Sequence, residues 1–272
     1  MGALDRVAGW PVTTAAAGVV GPDGRRHLVG PVDLVLPWAS VTKAVVALGF
    51  LVALEEGIVS LHEPAGPEGS TLAHLLAHAS GLPLASRRPV AAPGARRIYS
   101  NAGFEILGEV LAGATAMTAA DYLDEAVLSP LGMTGTTIEG SPASGAAGPL
   151  TDLVTFAHEL MAPTLVAPAA LARATGVAFP RLRGVLPGFG RQPANDWGLG
   201  FEVRDHKSPH WTGRANSPAT FGHFGRSGSF VWVDPVAKVA CAGVADRDFG
   251  PWAAVAWPDL ADAVLAETGR RP

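Results

Sequence analysis

Ser40 and Lys43 stand three residues apart at the head of an apolar run that reaches Leu54. Residues 44–54 are apolar around the whole helical circumference, which predicts a helix buried on every side. A serine in the first turn and a lysine three positions on share one helix face, about 5–6 Å apart. The helix start adds free backbone N–H groups and the positive end of the macrodipole. A serine nucleophile needs both: a nearby base, and a field that favours negative charge on oxygen. The same pair also has a purely structural reading, in which Ser40 caps the helix and Lys43 extends to solvent. Lysine is scarce, however: Lys43, Lys207 and Lys238 are the whole complement. A buried helix start is an unfavourable place for an idle cation.

Two further groups carry chemistry-bearing residues. Tyr99 is one of two tyrosines and is followed by Asn101 at a predicted helix start; His223, Phe224 and Gly225 precede a predicted strand. Other residues have ordinary readings. His74 and His78 have the i, i+4 spacing of metal ligands, but no glutamate follows His74, so packing and capping are expected. Asp205, His206 and His210 match no ligand pattern and read as a solvated loop. Trp197, Phe221 and Trp252 suit either an acyl pocket or core packing. Asp152 reads as a helix cap, and Cys241 as a packed thiol in a strand.

The elements that must position these groups follow from pattern. Residues 15–20 and 25–29 flank Gly21-Pro22-Asp23-Gly24 and predict a hairpin. A short strand is expected at 32–36 and a helix from Ser40 closed at Gly57. Helices are predicted near 71–79, 102–112, 118–128, 151–161 and 168–175, with Thr118 and Asp121 forming a capping box. Residues 140–148 read as a flexible surface loop, and residues 180–195 as an irregular wall or lid. Strands return at 197–203, 229–233 and 238–245. A last helix over 251–267 is expected to break or kink at Pro258. Strands at both ends with helices between them predict an α+β fold, one antiparallel sheet formed by the two termini and flanked by helices. One domain spans 1–272, with residues 1–60 and 195–272 carrying the sheet and 61–194 a mainly helical insert.

Composition narrows the function classes. Of the 272 residues, 16% are charged, against about 25% in an average domain, so apolar material is ample for one large core. The net charge of −4, with no basic stripe, gives no reason to expect nucleic acid. A single cysteine excludes an internal disulfide. The first 18 residues lack the pattern of a secretory signal, and no apolar run is long enough to span a bilayer, so a cytoplasmic protein without a membrane partner is expected. Nothing in the sequence implies a metal or cofactor.

Taken together, Ser40-x-x-Lys43, Tyr99-x-Asn101 and His223-Phe224-Gly225 resemble the serine β-lactamase and DD-peptidase superfamily, in its class C β-lactamase-like branch. Residues 38–43, 75–82, 99–104, 130–133, 197–200 and 222–225 look like its landmarks in the expected order. The resemblance implies a β-lactamase/transpeptidase-like fold and a serine hydrolase working through an acyl-enzyme. It implies Ser40 as nucleophile, with Lys43 and Tyr99 as the pair that takes its proton. Asn101 would hold Lys43 and contact substrate, and His223 and Gly225 would form the third motif on the sheet edge. The oxyanion hole would fall on the backbone N–H groups of Ser40 and Arg226. Free tyrosine and lysine titrate near about 10 and 10.4, so both need perturbing. The expectation is that neighbouring cations push Tyr99 down, that burial pushes Lys43 down, and that the cluster shares one mobile proton.

Phe224 departs from the family pattern, which usually has a small hydroxyl residue there to bind a substrate carboxylate. Arg226 is the candidate to replace that contact. This favours an esterase on small acyl esters, with a β-lactamase, DD-carboxypeptidase or amidase as the alternative. A non-catalytic binding protein on the same fold is a third reading. An α/β-hydrolase is disfavoured, because G-x-S-x-G is absent and strands do not alternate with helices.

Overall fold

The computed structural model of the chain describes residues 2–269. A 3-10 turn, Ala3–Gly9, leads into β1 (Ala15–Val20) and β2 (Arg26–Val29), which pair antiparallel as the intervening turn residues predict. The strand expected at 32–36 contracts to β3 (Leu36–Pro37). A 3-10 turn, Ala39–Val41, then feeds α1 (Thr42–Glu55). Gly57, at φ +72°, ends α1, and the Ile58 N–H bonds to the Ala53 carbonyl at 2.9 Å. That left-handed cap suits glycine, which has no Cβ to clash.

The middle of the chain holds α2 (Leu72–Leu76), α3 (Asn101–Thr115) and α4 (Ala119–Leu123), then β4 (Thr137–Ile138) and β5 (Ala146–Gly148). Next come α5 (Leu150–Met161), α6 (Pro168–Thr175) and the small hairpin of β6 (Gly184–Leu186) and β7 (Gly190–Gln192). The chain closes with β8 (Glu202–Val203), β9 (Phe221–Gly225), β10 (Ser229–Asp234), β11 (Val239–Ala245) and α7 (Pro251–Thr268). The main sheet has the order β2-β1-β11-β10-β9-β8, all antiparallel. β1 lies along β11, from Ala15 opposite Ala245 to Val20 opposite Ala240, so the two ends of the chain share one sheet. The α+β plan predicted from the order of elements is the plan observed.

Alternation along the strands sorts the two faces. Ala17, Val19, Phe230, Trp232 and Cys241 pack with Trp257 and Leu260 of α7. Ala16, Val20, Val231, Val233 and Ala242 pack with the residues of α1 and α5. α1 is the central helix of that second layer, with Val45, Leu48 and Phe50 fully buried. Each such side chain contributes about 1.5–3 kcal/mol of burial, which anchors the Ser40 turn to the core.

Four local expectations are corrected. Residues 140–148 are not a flexible surface loop: Ala143 is fully buried, and β5 pairs with both β3 and β4. Small side chains are what allow this approach, since a Cβ on Gly148 would sit 2.3 Å from Thr136 Oγ1 and 2.9 Å from the Trp38 ring. The strand expected over 197–203 is regular only at β8. α7 runs through Pro258 without ending there, because Ala253, Trp257, Leu260 and Val264 pack on the sheet and outweigh one missing backbone bond. Finally, His210 is buried against Glu202 and not solvated in a loop.

Candidate active site

Ser40 sits in the 3-10 turn ahead of α1, one position after Ala39, whose φ of +44° is unusual for a residue with a Cβ. The Thr42 hydroxyl donates to the Ala39 carbonyl at 2.6 Å and accepts the Ala146 N–H at 2.9 Å, tying the turn to β5. The far side is fixed by the sheet. The Ser229 hydroxyl donates to the Trp38 carbonyl at 2.6 Å and the Ser227 hydroxyl to the Pro37 carbonyl at 2.6 Å. Gly225 is required there, because a Cβ would lie 2.3 Å from the Trp38 oxygen. The end of β9 is thereby held against the Ser40 turn.

Lys43 is fully buried, and its ammonium has three partners: Ser40 Oγ at 3.3 Å, Asn101 Oδ1 at 2.8 Å and the Ala143 carbonyl at 2.7 Å. None is a carboxylate. Burial pulls its pKa down to about 7, with only partial opposition from the Glu105 charge. Lys43 Nζ also lies 4.8 Å from the centre of the Tyr99 ring and 5.5 Å from that of Phe104. Asn101 opens α3, and Ser100 caps it by accepting the Gly103 N–H at 2.9 Å.

Tyr99 does not follow its expectation. Burial raises its phenol above the usual range, and a hydrogen bond with Ser40 offsets this only in part. The cations invoked to lower it are weak ones: His223, buried and beside Lys43, is pushed down to about 3 and is therefore neutral. Its Nδ1 lies 2.8 Å from the Phe224 carbonyl and must donate, which leaves Nε2 as a bare acceptor with no hydrogen-bond partner.

An aromatic box surrounds the phenol. His78 lies 4.5 Å from Tyr99 by ring centroids and Trp197 lies 5.8 Å from it; His223 is 5.9 Å away. His78 has φ +54°, and its Nδ1 accepts the Ser100 N–H at 3.2 Å, which puts its proton on Nε2. Burial holds it well below the ordinary histidine range. Below the box, Arg97 donates to four carbonyls, those of Asn195, Ala77, Ala178 and Phe179, and so pins residues 96–99.

The structure brings together Ser40, Lys43, Tyr99 and Asn101, with His223 and Gly225 at the edge. Phe224 is not with them. Alternation on β9 sends it to the other face, where it meets Phe249 at 4.8 Å, Trp211 at 5.6 Å and Trp257 at 6.0 Å. The Arg226 side chain is exposed and paired with Asp248 at 3.1 Å. Of the doubtful residues, His74 caps α2 through Thr71, Phe221 packs on Phe201, and Trp252 packs on Trp10. Asp152 does not cap a helix as expected: inside the first turn of α5, it accepts from Gly135 N and Thr136 Oγ1 and so ties a loop to α5. Sequence reasoning missed two parts. The Ala143 carbonyl carries no side-chain signal at all. His78 stood inside the landmark at 75–82 and was assigned only to packing.

A buried lysine bonded to a serine hydroxyl, between a helix and the edge of an antiparallel sheet, defines a β-lactamase-fold serine hydrolase. The sequence model of the Beta-lactamase family matches residues 1–266, and the chain belongs to that family. A crystal structure of a β-lactamase from Mycobacterium bovis is 52% identical, with a TM-score of 0.96 over 98% of this chain and 99% of that one. EstCE1, a hydrolase with promiscuous acyltransferase activity, is 16% identical with a TM-score of 0.80, covering 97% and 98%, a likeness of fold alone. D-alanyl-D-alanine-carboxypeptidase/endopeptidase AmpH of Escherichia coli K12 is 31% identical over 40% of this chain, and the match spans only 38% of that protein. No helix of the described residues is long and apolar enough to cross a membrane.

Proposed function

We propose that the protein hydrolyses small acyl esters through an acyl-enzyme on Ser40. One observation carries this: Lys43 is buried without a carboxylate, bonded to Ser40 Oγ at 3.3 Å, and its pKa falls to about 7. A neutral amine there accepts the Ser40 proton as Oγ attacks the substrate carbonyl. The negative charge forming on the carbonyl oxygen is taken by the backbone N–H groups of Ser40 and Arg226. Tyr99, a neutral phenol bonded to Ser40, passes a proton to the departing alkoxide, and Lys43 returns the proton to Tyr99. Water then attacks the acyl carbonyl, giving its proton to the same pair, and Ser40 Oγ leaves protonated. Asn101 keeps Lys43 aimed at Oγ.

The ester reading is supported by the third motif, where Phe224 offers no hydroxyl and the Arg226 guanidinium is engaged by Asp248. The 52% identity to a β-lactamase favours β-lactams as the second reading. Turnover of a p-nitrophenyl ester and of a chromogenic cephalosporin, measured side by side in wild type and Ser40→Ala, separates them. Ester turnover that vanishes in Ser40→Ala is the expected result. Dominant cephalosporin turnover would replace the ester reading with the second. No turnover of either, and no labelling of Ser40 by a fluorophosphonate, would leave the non-catalytic reading.

A further inference from the structure

Tyr99, which bonds to Ser40, also lines a cleft of about 940 Å³. Its walls are apolar where Leu84, Val90, Ile98 and Val185 line it, and cationic where Arg96, Arg97, Arg183 and Arg191 do; Arg97 is spent on four backbone carbonyls and Arg96 donates to the Val90 carbonyl at 3.2 Å, which leaves Arg183 and Arg191 facing the opening. Leu84, Val90 and Val185 are each more than half exposed, an uncommon state for such side chains clustered at one opening. The cleft lining includes no Asp or Glu. Ion pairs of the described residues use Arg6, Arg25, Arg87, Arg226, Lys207 and two histidines, and not Arg183 or Arg191. A chain of net charge −4 therefore concentrates positive charge outside its ion pairs in the cleft that Tyr99 lines.

The backbone explains the convergence. Val185 of β6 stands opposite Arg191 of β7, and Arg183 immediately precedes β6, so one hairpin carries both arginines to the cleft. The hairpin is fixed to the site by the Arg97 N–H, which donates to the Arg183 carbonyl at 3.0 Å, two residues before Tyr99. The segment at 97–99 that presents Tyr99 to Ser40 is thus bonded to the hairpin that carries the two arginines.

We propose that this cleft selects substrates carrying an anionic group, a carboxylate or a phosphate, held by Arg183 and Arg191. An apolar segment of the substrate lies along Leu84, Ile98 and Val185, between that anion and the carbonyl at Ser40. The anion site is distinct from the third motif at Gly225, because none of His223, Phe224, Gly225 or Arg226 lines this cleft. The proposal rests on the hydrolase reading for its direction, since the substrate carbonyl must reach Ser40. Paired arginines suit the forked geometry of carboxylate and phosphate oxygens.

The test compares p-nitrophenyl monoesters of succinic, adipic and suberic acids with the same compounds methyl-capped at the free carboxylate. For at least one chain length, wild type is expected to show kcat/KM about tenfold higher for the acid, narrowing at 0.5 M salt as screening grows. In Arg183→Gln/Arg191→Gln the acid-to-capped ratio should fall to about one, whereas Arg25→Gln, on the distant β1–β2 turn, keeps the wild-type ratio. Binding of suberate and of phenyl phosphate by calorimetry, in wild type and the double variant, is the companion measurement. It needs no turnover and separates the two anion classes. Equal ratios in wild type and the double variant, with ester turnover intact, overturn the anion site and spare the hydrolase reading. Arginine-dependent binding without turnover of any ester overturns the hydrolase reading and spares the anion site. Neither binding nor an acid preference leaves Arg183 and Arg191 as surface charge only, and the proposal fails.

Discussion

The molecule buries two lysines in opposite ways. Lys43 meets a hydroxyl, an amide oxygen and a backbone carbonyl; Lys207 meets the carboxylate of Glu202 and the Asp196 carbonyl at 2.8 Å. Glu202 also accepts from the Trp211 indole and lies 2.9 Å from His210 Nε2. Burial pushes the Glu202 carboxyl up, but Lys207 and His210 overcome this and hold it well below the usual carboxylate range. That cluster stitches residues 204–212 to β8 and has no open partner. Burial lowers the Lys207 pKa as it lowers that of Lys43, but at Lys207 the Glu202 carboxylate opposes the shift, and the pair serves the fold. An ammonium beside neutral oxygens is left near its titration point and can exchange a proton. The residue type is the same in both places, and the partners decide the role.

That comparison can be broken at several points. The largest expected effect is Ser40→Ala, which should reduce ester kcat by about 10⁴-fold or more while leaving the melting temperature near wild type. Lys43→Met should lose about 10²–10⁴-fold in kcat/KM. Its melting temperature should stay level or rise, because a costly buried amine is removed and no charge is stranded. Lys207→Met should do the reverse: a loss of about 3–5 kcal/mol by denaturant unfolding, from stranding Glu202, with activity per folded molecule largely kept. Adding Glu202→Gln should recover part of that loss. Similar destabilisation in Lys43→Met and Lys207→Met would end the distinction between the two sites.

Smaller effects sharpen it. Tyr99→Phe should cost about 10²-fold in kcat, and full activity would sink the shared-proton scheme. The pH profile should show kcat/KM rising through about 7 as Lys43 loses its proton. Stability carries the same signature with a defined sign. Between about 7 and 10.5 the unfolded chain holds the Lys43 proton and the folded chain does not, so this site adds stability as pH rises across that window. Lys43→Met should flatten that rise.

Much of the fold was legible because it follows local physics. The 44–54 run is apolar on all sides and became the buried α1; the hairpins at 15–29 and 229–245 announced themselves by their turn residues. Ser40, Lys43, Tyr99 and Asn101 were legible because scarce residue types fell at helix starts, where backbone geometry brings them into reach. The burial of 140–148 was not legible, because Gly, Ala and Ser in a row describe a loose loop and a close-packed wall equally well. The direction of the Tyr99 shift was not legible either, since it depends on the neutrality of His223 and on how much water the box of His78 and Trp197 excludes.

By itself, then, the sequence determined which residues have chemistry to offer and the order of strands and helices that carries them, because both depend on neighbours within a few positions. Only the tertiary structure decided which lysine lies within hydrogen-bond reach of Ser40, that Phe224 faces α7, and that Arg183 and Arg191 open on the cleft beside Tyr99. Those outcomes are set by partners distant in the chain, 100 residues away for the Ala143 carbonyl on Lys43, and by the dielectric they create together.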